Sequence, residues 1–282
     1  MKCLISCQSL DPCKSYFGHQ IMYDNLPFQS RNIKTILGIR IDDYPLDFFL
    51  QGIVSRAVHG KKTVISYVNI HAVNLAFERP AFRSLLNSSN LSFCDGFGIM
   101  LASLIVDKNI HHRYTPPDFI ERLCGLAELS RLRVFFLGSR IGIVEQAASV
   151  MKASHPNLEI AWHHGFFDKS YSSPENVAVV DKVNTFETDI LFIGFGMPLQ
   201  EDWISQNFHR LSIKIAFPVG ALFDYMAGTV PRAPRWMTDW GLEWLGRLVS
   251  EPRRLWKRYI IGNPLFFWRV FTHHILKFPL PE

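Results

Sequence analysis

The 282-residue chain contains no run of about 18 uninterrupted apolar residues, so no transmembrane helix is expected. Its opening stretch, MKCLISCQSLDPCK, has an apolar patch broken by Gln8, Ser9 and Asp11, which is too short for the core of a secretory signal. Cysteine is scarce: Cys3, Cys7, Cys13, Cys94 and Cys124 include no CxxC pair. An odd count in a chain of this length points to reduced thiols and a cytoplasmic setting. A zinc site built from the first three cysteines would lack the usual ligand spacing, and no metal site is expected. Also missing are HExxH, the Gly-x-Ser-x-Gly nucleophile elbow, the Gly-Lys-Ser/Thr ending of a phosphate loop, and the Asp-x-Asp pair that often holds a divalent metal against a nucleotide diphosphate. Gly194-Phe-Gly196 begins like a dinucleotide fingerprint, but Leu199 stands where the third glycine belongs, which disfavours a nicotinamide cofactor. No cofactor is expected.

What is present is an ordinary globular composition, 48% apolar and 20% charged, that can bury a sizeable core. The formal net charge of +5 is unevenly placed. Residues 229–282 hold nine Lys or Arg against four acids, so the whole excess belongs to that tail. Five of the seven tryptophans lie there too: Trp236, Trp240, Trp244, Trp256 and Trp268. Trp and Arg together suit a membrane interface, where the ring sits at head-group depth and the guanidinium meets phosphate. A helical cap with Trp in its core is the bland reading of the same residues. Nucleic acid is the rival partner for a basic, aromatic segment and is disfavoured here.

Along the chain, residues 1–32 show no period and are expected to be a loosely ordered extension, followed by an α/β domain over 33–228 and a helical, membrane-associating appendage over 229–282. A first strand is expected at 35–39 and an amphipathic helix at 44–60. Apolar runs at 63–68, 91–96, 132–138, 158–162, 189–196 and 213–220 then alternate with helical patterns at 71–89 (interrupted near Pro80), 97–107, 118–130, 144–154 and 198–208. Continuous apolar strands alternating with helices imply a Rossmann-like, mainly parallel sheet with helices on both faces.

In such a sheet ligands gather at the carboxyl ends of the strands. The polar residues found there are Asn69 and His71, Asp95, Gly138 with Ser139 and Arg140, Gln200, and Asp224. Asp95, beside Gly96, can accept a proton from an attacking hydroxyl, or can equally serve as the N-cap of the next helix. Asn69 and His71 can position a substrate, although a single histidine is more often structural. Gly138-Ser-Arg-Ile-Gly142 offers free backbone N–H groups to a phosphate. If a sugar nucleotide is the donor, the missing Asp-x-Asp pair leaves basic side chains to stabilise its leaving diphosphate.

The segments VNIHAVNLA (68–76), FCDGFGIMLA (93–102), RYTPPDF (113–119), RVFFLGSRIGIVEQAA (133–148), HHGFF (163–167), DILFIGFGMPLQEDWI (189–204), VGALFDYMAGTVPRAPRWM (219–237) and GLEWLGRLVSEPRRLWKRYIIGNP (241–264) together resemble the WecG/TagA/CpsF family of bacterial glycosyltransferases, glycosyltransferase family 26. The resemblance runs over roughly residues 35–265, in order. It implies a metal-independent, inverting transferase. The donor would be a UDP-sugar, often UDP-N-acetylmannosamine and sometimes UDP-glucose. The acceptor would be an undecaprenyl-diphosphate-linked saccharide at the cytoplasmic membrane face, in cell-surface polysaccharide synthesis. By position it assigns Asp95 as the base, Arg113 and Gln200 as substrate-binding residues, and Arg247, Arg254 and Lys257 as diphosphate-binding residues of an appendage that closes over the site. It leaves a homo-oligomer open. A non-catalytic scaffold that binds nucleotide sugar and lipid is the alternative. The chain departs from the family pattern in three places: Asn69-Ile70-His71 replaces Thr-x-Asn, Pro116-Pro117 replaces Gly-Ser, and Leu199 replaces Lys. These departures weaken the choice of N-acetylmannosamine as the sugar.

Overall fold

The computed structural model describes residues 32–280. The expected N-terminal extension, with Cys3, Cys7 and Cys13, lies outside the described residues but for Asn32; Cys94 and Cys124 are free and buried.

The first strand expected at 35–39 is instead an antiparallel hairpin, β1 (Ile33–Ile36) and β2 (Ile39–Asp42), forming its own two-stranded sheet. Leu37 and Gly38 turn the chain with φ of 49° and 78°, the two positive values that a tight two-residue hairpin turn requires. The chain continues through α1 (Leu46–Val58), β3 (Thr63–Val68), α2 (Ile70–Glu78), α3 (Pro80–Ser88), β4 (Leu91–Cys94), α4 (Phe97–Ile105) and α5 (Pro116–Leu129). Next come β5 (Val134–Gly138), α6 (Ile143–Ser154), β6 (Ile160–His163), α7 (Pro174–Thr185), β7 (Ile190–Gly194), α8 (Leu199–Asn207), β8 (Ile215–Pro218) and α9 (Leu222–Met226). The helix break at Pro80 falls where the sequence places it. Helix α7 is an addition to the expected elements, capped by Ser173, whose Oγ accepts from the Asn176 N–H at 3.1 Å.

Six strands form one all-parallel sheet in the order β4-β3-β8-β7-β5-β6. Strands β5, β7 and β8 are buried throughout, because helices cover both faces. Alternation divides their side chains. Phe136, Phe192 and Phe217 point to one face, into an aromatic cluster with Phe223 of α9 and Phe119 of α5. Phe135, Leu191, Ile193 and Ala216 point to the other, where α7 and α8 supply Val179, Val183, Trp203 and Ile204.

The basic tail folds as α10 (Arg235–Asp239), α11 (Glu243–Ser250), α12 (Pro252–Trp256), a wide π-helical turn (Lys257–Ile261) and α13 (Gly262–Val270). Phe266 and Val270 of α13 enter the core shared by the hairpin, α2, α3 and α4. Burial of each such side chain contributes about 1.5–3 kcal/mol. Polar ties reinforce the seam: Asn74 Nδ2 donates to Gly262 O at 2.8 Å, and Arg269 donates to Asn74 Oδ1 and Glu78 Oε1, each at 2.9 Å. The described residues form one compact unit. No helix among them is long and apolar enough to cross a membrane.

Candidate active site

A cavity of about 710 Å³ opens over the carboxyl ends of β3, β4, β7 and β8, and the basic tail forms its far wall. Seven of the residues singled out in the sequence line it: Asn69, His71, Asp95, Arg113, Arg247, Arg254 and Lys257.

Asp95 follows β4 directly, and its backbone N–H bonds to Val68 O at 2.9 Å, which locks it beside the end of β3. It is not a helix cap. Gly96 occupies the N-cap of α4, with no side-chain cap bond. The carboxylate accepts from Asn69 Nδ2 at 3.0 Å, while Asn69 Oδ1 caps α2 by accepting from the Ala72 N–H at 3.0 Å. One asparagine thus starts a helix and aims the carboxylate. Burial raises the Asp95 pKa to about 6; the Asn69 bond opposes this, Glu243 adds to it, and the guanidiniums of Arg258 and Arg247 also oppose it. Such a carboxyl is still ionised at neutral pH yet basic enough to take a proton.

His71 is held neutral: burial, helped by the charges of Arg258 and Arg79, lowers its pKa to about 4. An uncharged imidazole in the lining of this cleft can both donate and accept a hydrogen bond. Arg113 reaches across to Thr238 O at 3.4 Å, and Arg232 pairs with Asp118, so two contacts draw the tail to the α5 side of the cleft. Arg254 pairs with Glu251, and Arg247 stands over the Tyr225 ring. The Nε atoms of Arg247 and Arg258 are buried with no hydrogen-bond partner among the described residues. Donors left unsatisfied in a cleft are suited to an anion.

Gln200 and Gly138 do not line the cavity. Gln200 lies fully buried beneath its floor. Gly138 ends β5, outside the four strand ends below the cleft. A side chain there would place its Cβ 2.5 Å from Gly194 O, so glycine lets β5 and β7 approach; Ser139 next to it bonds Asp224 Oδ1 at 3.0 Å. Tyr67, Arg258 and Glu243 are among the lining residues that the sequence does not single out for the site. Tyr67 is hidden by its apolar strand, Arg258 by its place in a π-helical turn, and Glu243 by its resemblance to an ordinary first-turn acid.

A carboxylate that shares a cleft with guanidinium and ammonium donors has the groups needed to deprotonate a hydroxyl while an anionic leaving group is stabilised. Over 202 residues the chain is 28% identical to the N-acetylglucosaminyldiphosphoundecaprenol N-acetyl-beta-D-mannosaminyltransferase of Staphylococcus aureus strain MW2, with 72% of this chain and 77% of that protein covered. Its counterpart in strain NCTC 8325 / PS 47 matches to the same extent. The sequence profile described as the glycosyl transferase WecG/TagA/CpsF family matches residues 34–278, and this chain belongs to that family of enzymes.

Proposed function

We propose that the enzyme transfers a hexose or N-acetylhexosamine, N-acetylmannosamine or glucose, from a UDP-sugar to an undecaprenyl-diphosphate-linked saccharide, with inversion and without a metal. Asp95 takes the proton of the acceptor hydroxyl as its oxygen forms a bond to the anomeric carbon. The bond from that carbon to UDP breaks with its electron pair, and the departing UDP takes up negative charge that Arg247, Arg254 and Lys257 offset. The inversion follows from a single displacement. Neutral His71 and Arg113 orient the reactants, and Asn69 orients Asp95.

The observation that carries this reading is that Asp95 and the cations of the basic tail line one cavity, where the charges of Arg258 and Arg247 act on the Asp95 carboxylate. The acceptor class comes from the Staphylococcus aureus relatives, whose name specifies a diphosphoundecaprenol acceptor. Such an acceptor lies in a membrane. The exposed faces around the cleft suit one. Phe97, Leu101, Leu104 and Ile105 form an apolar stripe on α4, which begins next to Asp95, and Trp236, Trp240, Val249 and Trp268 are exposed on the tail. Gly241, next to Trp240, packs directly against the Phe97 ring, which joins the two surfaces. Each basic residue near an anionic leaflet adds about 1 kcal/mol of attraction. On this reading the enzyme works peripherally, on the cytoplasmic face of the membrane.

The test is a panel of UDP-sugars offered with a synthetic polyprenyl-diphosphate saccharide, followed by product analysis. Transfer of one sugar with inverted anomeric configuration is expected. UDP binding without transfer of any sugar would instead support a scaffold.

A further inference from the structure

Gln200 has no valence left for a substrate. Its Oε1 accepts from the N–H groups of Gly196 and Gly220, at 3.2 and 3.1 Å. Its Nε2 donates to Tyr67 Oη at 2.9 Å and to Glu201 Oε1 at 2.8 Å. A side-chain amide has two acceptor sites and two donor hydrogens, and all four are used. The amide orientation is fixed as well, because turning it over would set its NH₂ against two backbone N–H donors. Gln200 thus ties the loops after β7 and β8 together and determines what Tyr67 can do.

The Tyr67 hydroxyl receives the Gln200 hydrogen on one lone pair and keeps its own hydrogen to give. No acceptor for that hydrogen is found among the described residues. Tyr67 lines the cleft, and its Oη lies only 3.1 Å from where a Cβ on Gly220 would stand, so glycine at 220 leaves room beside the hydroxyl. The charges of Arg258 and Arg247 reach it from the tail, and that of Asp95 from β4. Burial drives the phenol far above its ordinary pKa, with Glu201 and Asp95 adding to the effect, so it stays a neutral donor throughout the working pH range.

We propose that Tyr67 is a substrate-binding residue: its hydroxyl, polarised from behind by Gln200, donates a hydrogen bond to a phosphate oxygen of the nucleotide diphosphate held between the cleft floor and Arg247 and Arg258. This rests on the UDP-sugar reading above. Gln200 is then a positioning residue that acts through Tyr67, and its buried neighbour Glu201 fixes it by taking its second hydrogen.

The measurement is calorimetric titration of the full chain with UDP, using wild type, Tyr67→Phe, and protein carrying 3,5-difluorotyrosine at position 67. Loss of a hydrogen bond to a charged oxygen should weaken UDP binding about tenfold to a hundredfold in Tyr67→Phe. The ring keeps its packing on Phe93, so the fold should persist, with a lower Tm from the unpaired Gln200 hydrogen. Fluorination makes the hydroxyl a stronger donor without removing any contact and should tighten UDP binding at least twofold; this arm decides the matter if Tyr67→Phe fails to fold. Unchanged affinity in the fluorinated protein, or in a folded Tyr67→Phe variant, would overturn the role of Tyr67 alone. Absence of UDP binding by the wild type would overturn the donor reading, and this proposal with it.

Discussion

Asn69 Nδ2 donates to Asp95 Oδ2 at 3.0 Å, while the other end of the same amide caps helix α2. The two outermost strands of this half of the sheet, β3 and β4, therefore deliver a carboxylate and its orienting partner to one point. Burial and this bond act on Asp95 in opposite directions, and their balance sets when it can work as a base.

The pH profile should reflect that balance. With the Asp95 pKa raised to about 6, kcat/KM should climb with pH through an acidic limb near 6 and level off above it. Asn69→Asp keeps the helix cap but replaces a donor with a like charge, so the limb should move to higher pH. A limb that stays put would separate Asn69 from the base.

The same residue should trade stability for activity. The folded-state pKa of Asp95 lies above its reference value of 3.8, so ionisation opposes folding. The penalty is absent below that reference value and complete above about 6. Asp95→Asn should therefore unfold at a higher temperature than wild type at pH 7.5, by up to about 3 kcal/mol of stability. The difference should fade as the pH falls towards 4. Equal melting temperatures at both pH values would contradict the burial of this charge.

Arg258 should matter as much as the tail cations that the sequence singles out. Its charge lowers the pKa of both Asp95 and His71. Arg258→Ala should raise both, moving the acidic limb of activity and the His71 proton titration, followed by NMR, to higher pH. Turnover should fall about tenfold or more, since a charged hydrogen-bond donor is lost from the diphosphate side.

Membrane contact is best probed by point substitution, because deleting 229–282 would also remove Phe266 and Val270 from the core. Leu104 is 64% and Trp240 75% exposed, so Leu104→Glu combined with Trp240→Ala should leave the melting temperature within a degree or two. Co-sedimentation with anionic vesicles should drop severalfold, and what binding remains should weaken further with salt. Undiminished sedimentation would remove the α4 stripe from the contact.

Much of this was legible in the sequence. The strands of the six-stranded sheet are apolar runs bounded by turn residues, and a parallel sheet puts their carboxyl ends on one edge, which is why Asn69, His71 and Asp95 could be named. The hairpin was hidden because Leu37, rather than Asn or Asp, adopts a positive φ at its turn. Strand order was equally invisible: β5 lies beyond β7, so Gly138, the last residue of β5, ends away from the cleft although it stands at a strand's carboxyl end as Asp95 does. Gln200 lies in the first turn of α8, shortly after β7, and only the folded chain shows its four hydrogen bonds turned inward. Arg258 and Tyr67 depend on side-chain direction in a π-helical turn and a buried strand, which neither helical nor strand periodicity records.

The role of Asp95 as the base of a sugar transfer is tested by removing its charge. Turnover of the wild type and Asp95→Asn should be compared at pH 7.5 with the UDP-sugar that the panel identifies and the polyprenyl-diphosphate acceptor, with UDP affinity measured in parallel. Turnover should fall at least tenfold, about 1.4 kcal/mol or more in barrier, with UDP binding retained. Near-normal turnover in a folded Asp95→Asn protein would contradict that role.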